Sequence, residues 1–233
     1  MSASSRAAPA ARSAPEGGGK VRGIVAGVVT LAAGGVIYFT LVPMPPKFDR
    51  APHTALGQVL AREALKLQQP GGRIIFITRD TTMFKTPAFE AQSEGFEKEL
   101  RKAGAKIAVK RVLKVDPLRV VAVPPGDFFE LLRKANEKDV IVSLLGPPVL
   151  DAAQIGKLTE NRPHVIAVCS GAMPQQVDLK RLFDQRLIEA VVISRNEPAS
   201  AGGANDGFDR HFKLITTANL SDLLPLPAAK PLR

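Results

Sequence analysis

Four short runs of this chain are almost wholly apolar: Arg73-Ile74-Ile75-Phe76-Ile77-Thr78, Val140 to Leu145, Val165 to Cys169, and Ile188 to Ser194. Strands that are apolar throughout bury both faces, which is the mark of a parallel sheet covered by helices. The segments between them read as helices. Leu56, Val59, Leu60, Ala64, Leu65 and Leu67 recur mostly at three- and four-residue spacing, and that pattern stops at Pro70-Gly71-Gly72. Phe89, Phe96 and Leu100 mark one face of a helix from about Pro87 to Ala103, with Gly104 as its C′ residue. Ile107 to Val115 alternates as a strand does, and Pro124-Pro125-Gly126-Asp127 opens a helix that turns Phe128, Leu131 and Leu132 inward. Val149 to Leu158 and Asp178 to Arg186 read as two further helices, and Phe212 to Thr217 as a sixth, edge strand. Such alternation with right-handed crossovers predicts an α/β fold: a doubly wound, mainly parallel five- or six-stranded sheet with helices on both faces.

Ahead of this region stands an uncharged run, Gly23 to Val42. About twenty residues at 1.5 Å each match a hydrocarbon core roughly 30 Å thick, so the run is expected to form one transmembrane helix. Arg6, Arg12, Lys20 and Arg22 precede it against the single acid Glu16, which keeps the N-terminus in the cytoplasm. A cleaved signal peptide is the rival reading. It requires a shorter apolar core and small residues just after it, whereas Tyr38, Phe39, Thr40, Leu41 and Val42 lead here into Pro43-Met44-Pro45-Pro46. The expected organisation is a disordered basic tail over 1–22, a signal anchor over 23–42 and a Pro-rich linker over 43–53. A domain over 54–220 and a flexible tail over 221–233 complete it. The location is then the inner (plasma) membrane, single-pass, with the C-terminal domain extracytoplasmic. Gly23 and Gly27 form a G-x-x-x-G pair inside the run, a spacing that lets two helices approach and suggests a homodimer.

About 185 residues follow the anchor, enough for one domain with a full core. The net charge of +10 is carried mostly beyond residue 22 and is spread over helix surfaces. Nucleic acid is the usual partner of a basic chain, but an exported domain with one tyrosine and no tryptophan offers little for base stacking. Cys169 is the only cysteine, so no intrachain disulfide exists, and its apolar neighbours mark it as a small core residue. Neither standard phosphate-binding glycine loop occurs, since the first strand leads into Arg79-Asp80-Thr81-Thr82-Met83-Phe84-Lys85. Three scattered histidines and one cysteine give no metal-ligand spacing. A nucleophile at Cys169 or Ser170 has no base in reach, because His164 begins the same strand and lies at its opposite end. No cofactor, metal or catalytic residue is expected.

The strand Gly72–Asp80, the helix Phe89–Ile107 with its Gly95-Phe96 pair and Leu100…Gly104 ending, the turn Gly146-Pro147-Pro148 and the run Arg162–Gly171 carry a resemblance. From about Thr54 to Asn196 the chain resembles one lobe of a type 1 periplasmic-binding fold. Sugar-binding ABC-transporter proteins and the sensor halves of LacI-like regulators share that fold. The resemblance implies ligand binding between two lobes, and this chain has room for one. In open parallel sheets ligands bind beyond the carboxyl ends of the strands. That rule nominates Arg79, Asp80, Thr81 and Thr82 after the first strand, Gly146 after the third, Ser170 after the fourth, and Arg195 and Asn196 after the fifth. The favoured reading is a membrane-anchored, non-enzymatic extracytoplasmic domain that binds an envelope partner protein or a small polar ligand. The alternatives are an anchored envelope hydrolase or transferase, and a structural subunit of an envelope complex.

Overall fold

The computed structural model describes residues 48–115, 122–195 and 206–223. Helix α1 spans Ala51–Leu67, strand β1 Ile74–Arg79, helix α2 Pro87–Lys102, strand β2 Ile107–Leu113, helix α3 Pro125–Lys134 and strand β3 Val140–Ser143. Then come the single turn α4 (Ala152–Ile155), β4 (His164–Cys169), α5 (Leu179–Asp184), β5 (Ala190–Ser194), the single turn α6 (Asp206–Asp209) and β6 (Phe212–Thr216). The sheet order is β2-β1-β3-β4-β5-β6. β1 to β5 are parallel, and β6 returns antiparallel along β5 as the edge strand. This is the expected doubly wound α/β domain with six strands.

Strand pleating divides the core. Phe76, Val140, Val142, Ile166, Val168 and Val192 point to the face covered by α1 and α2. Ile75, Ile77, Ile141, Val165, Ala167, Cys169 and Val191 point to the other, under α3 and α5. Neighbouring residues of one strand therefore belong to two different cores, which is why these runs read as continuously apolar.

Helices α1 and α2 pack backbone to backbone. A Cβ on Gly57 would overlap the Gln92 carbonyl and come to 2.7 Å from the Phe96 nitrogen, and one on Gly95 would overlap the Thr54 carbonyl. That approach seats Phe96 on Phe76 with centroids 4.5 Å apart and planes 8° from parallel. The helix ends in a Schellman motif: Gly104 adopts φ +70°, its N–H reaches the Arg101 carbonyl at 3.1 Å, and the Ala105 N–H reaches Leu100 at 2.9 Å. The Gly-Phe…Leu…Gly pattern thus describes one helix contact, one ring stack and one cap.

At the amino edge of the sheet a single carboxylate joins two strands. Asp139 is fully buried and accepts hydrogen bonds from the Arg73 N–H (2.8 Å), the Arg73 guanidinium (2.7 and 3.3 Å) and the Asn136 N–H (3.0 Å). Burial alone would raise the Asp139 carboxyl, but the Arg73 guanidinium and the two N–H groups hold it below the ordinary value of 3.8.

Several expectations need correction. The helix read over Val149–Leu158 shrinks to Ala152–Ile155. Asp151 starts it with a capping box to Gln154, so the apolar Val149 and Leu150 fall before the cap, and Gly156 closes it. Strand β2 stops at Leu113, short of Val115. Residues 51–53, assigned to the linker, form the first turn of α1. The turn α6 and a 3₁₀ helix over Thr217–Asp222 were not anticipated. Among the described residues no helix is long and apolar enough to cross a membrane. The run 23–42, with Gly23 and Gly27, the tails over 1–22 and 224–233, and Asn196 all lie outside the described residues.

Candidate functional site

Strand β1 lies between β2 and β3, and its carboxyl end delivers Arg79 and Asp80 to the sheet edge where the chain leaves for α2. The first expected site residues meet there. Arg79, Asp80, Thr81 and Thr82 line a cavity of about 310 Å³ together with Thr78, Phe89, Glu90, Ser93, Glu94, Glu97, Lys110 and Val112. The floor is β1, one wall is α2 and the other is β2.

The loop is ordered by its own side chains. Asp80 Oδ1 accepts from the Thr82 N–H at 2.9 Å and from the Thr82 hydroxyl at 2.7 Å, closing an Asx turn. The Thr82 hydroxyl and then its N–H lower the Asp80 carboxyl below its usual 3.8, with Lys114 assisting against a small desolvation effect. The Asp80 N–H donates to the Leu113 carbonyl at 2.8 Å, which ties the loop to β2. The Arg79 guanidinium lies over the Phe89 ring, 5.5 Å from its centroid, and its Nε is buried without a hydrogen-bond partner among the described residues. The Thr78 and Ser93 hydroxyls are 3.4 Å apart on the floor. Glu94 pairs with Arg50 and Glu97 with Lys110, each at 2.8 Å.

Gly146, Ser170 and Arg195 stand at the same sheet edge but do not line this cavity, and Asn196 lies outside the described residues. Gly146 adopts φ +100° after β3, where a Cβ would run into Met173. Ser170 is exposed after β4. Arg195 is committed to the β5–β6 junction, its Nε donating to the Phe212 carbonyl at 3.1 Å and its N–H to His211. The strand-end rule names loops only, and so it missed the α2 wall. Phe89, Ser93 and Glu97 recur every four residues on one helix face, and that spacing was readable.

The cysteine and the histidines do not line this cavity. Cys169 is fully buried, and burial pushes its thiol up to about 12, so it is a protonated core residue. His164 faces Glu189 at 3.7 Å at the amino end of β4, across the sheet from Ser170. His53 sits between Phe48, stacked at 5.1 Å, and Phe212, edge-on at 5.8 Å, with Nδ1 at 3.2 Å from the Gln92 amide. Among the described residues no three His, Cys, Asp or Glu side chains gather as metal ligands.

No family model matches the sequence, and no curated protein matches it. Solved structures with some likeness of backbone include solute-binding proteins of sugar transporters. One is a carbohydrate-transporter protein from Agrobacterium radiobacter in complex with D-arabinose, 18% identical, covering 73% of this chain and 61% of that one at a TM-score of 0.45. Another, from Burkholderia graminis and also in complex with D-arabinose, is 16% identical over 72% of this chain and 61% of that one, TM-score 0.46. A third, a sugar ABC-transporter substrate-binding protein from Bordetella parapertussis, is 12% identical over 78% and 61%, TM-score 0.46. The chain spans about three fifths of the length of these proteins. They are sugar-transport binding proteins, the kind that the sequence resemblance names.

Proposed function

We propose that this chain is a membrane-anchored, non-enzymatic, extracytoplasmic domain whose cavity at the carboxyl end of β1 binds a small polar ligand. The observation carrying this is the cavity: a recess of about 310 Å³ lined by Thr78, Thr81, Thr82 and Ser93 together with Arg79. Hydroxyls and a guanidinium exchange hydrogen bonds with a polar ligand. Hydrogen exchange tests it. Adding the small-molecule fraction of source cells to the full chain should slow exchange within residues 78–97 and 110–112. Protection confined to the ends of β4 and β5 would move the site away from Arg79.

The anchored location rests on the uncharged run Gly23–Val42 and the basic excess before it. A reporter active only outside the cytoplasm, fused after Arg233, should be active. Activity only from a cytosolic reporter would overturn the orientation.

Exposed apolar side chains favour a second use of the same edge. Met83 and Phe84, in the loop after β1, are 82% and 57% exposed, and Val149, after the neighbouring β3, is 41% exposed. Its occupant is a second copy of this chain, brought close by Gly23 and Gly27 in the anchor, which raises the effective concentration of two lobes on one membrane. Gly27→Leu should then weaken crosslinked dimers, and unchanged crosslinking would remove this reading.

A further inference from the structure

The charges around the cavity are mostly committed. Glu94 is held by Arg50, Glu97 by Lys110, and Asp80 by the Thr82 turn. Two charges of opposite sign remain, Arg79 and Glu90. Both line the cavity, neither forms an ion pair with the other, and neither has a charged partner among the described residues. Arg79 extends from the end of β1 and Glu90 from the first turn of α2, with the Phe89 ring under the guanidinium.

On the reading that this cavity takes a small polar ligand, we infer that the ligand is a zwitterion carrying one carboxylate and one ammonium, of the α-amino acid class. The carboxylate meets the Arg79 guanidinium, whose planar terminal N–H donors match its two oxygens in a two-point contact. The ammonium meets Glu90. The Phe89 ring presents an apolar surface to the ligand's side chain, and the Thr82 and Ser93 hydroxyls take its remaining polar groups. Charge argues against a polyanion, because four carboxylates (Asp80, Glu90, Glu94 and Glu97) line the cavity against the cations Arg79 and Lys110. A phosphate-rich ligand would meet net repulsion there. A neutral polyol would leave both Arg79 and Glu90 without a counter-charge, which forgoes the charge-assisted contacts they offer. A volume of about 310 Å³ is at the small end of ligand cavities and suits a molecule of amino acid size.

Calorimetric titration of the full chain in mild detergent tests this, using each of the twenty L-amino acids, propionate, propylamine and D-arabinose as separate probes. At least one amino acid should bind, and propionate and propylamine, each with half of the charge pair, should bind at least about ten-fold more weakly. Glu90→Gln and Arg79→Lys should each weaken the amino acid by about ten-fold or more while melting as the parent does. Binding of D-arabinose with no amino acid bound would overturn the zwitterion and leave the polar-ligand reading intact. Amino acid binding that is unchanged in both variants would overturn the assignment of Arg79 and Glu90. Failure of every probe would overturn the zwitterion, and the polyol arm would then count against the broader reading as well.

Discussion

Alanine at Gly57 or Gly95 should destabilise the domain by about 2–3 kcal/mol each, through overpacking against a rigid backbone. The added methyl meets main-chain atoms of the facing helix, the Gln92 carbonyl for Gly57 and the Thr54 carbonyl for Gly95, so no side chain can swing aside. Relief requires α1 and α2 to separate, which opens the Phe76–Phe96 stack and exposes the Leu56, Leu60 and Leu100 core. Gly126, in the first turn of α3, has nothing within 4 Å of its would-be Cβ, so Gly126→Ala should be neutral or slightly stabilising. Urea denaturation reads the difference as a lowered midpoint at unchanged slope for the first two and an unshifted or raised midpoint for the third. Equal midpoints for all three would mean that the two helices do not touch through their glycines.

Asp139→Ala should cost about 2–3 kcal/mol, since it unpairs two backbone N–H groups while the half-exposed Arg73 guanidinium turns to water. It would strand the Arg73 and Asn136 N–H groups at the start of β1 and β3, the two strands on which the rest of the sheet is ordered. The pH dependence has a definite sign. The folded Asp139 carboxyl lies below its unfolded value, so its contribution is complete above about pH 4 and is lost as pH falls through the lowered folded value. His53 adds an earlier step. Burial first, and then His211, lower its value below 6.5, against an opposing effect from Asp49. Its neutral form is therefore favoured in the fold, and its contribution declines as pH drops below about 6.5. Acid titration of stability should fall in two stages in the parent, and the lower one should shrink in Asp139→Asn, with Asp80 supplying what remains. A single stage in the parent would contradict the clamp.

The sheet was legible because burial on both faces leaves a signature in composition alone. Ile74–Ile77, Val140–Val142 and Val165–Val168 have no exposed face on which to place a polar residue. The Gly95, Phe96 and Gly104 pattern was legible as a helix, although its meaning as a contact with Gly57 needed the partner helix. Val149–Leu158 misled because apolar content was read as periodicity while Asp151, the cap, stood inside the run. A third of the cavity lining was visible for a different reason. Topology places every β1 exit residue at the sheet edge whatever its identity, so Arg79 to Thr82 could be named. The walls depend on which face of α2 turns toward β2, and the Glu97–Lys110 pair reports that only after folding. Arg195 shows the converse: the right edge, but a side chain already engaged by the Phe212 carbonyl.

The central claim is that the β1-end cavity holds a small polar molecule without transforming it. Native mass spectrometry of the full chain, released from its own membranes without added ligand, tests this most directly. The account predicts a small polar adduct of unchanged mass over time, present in the parent and lost in Arg79→Met. A parent that flies bare, or an adduct retained in full by Arg79→Met, would contradict it.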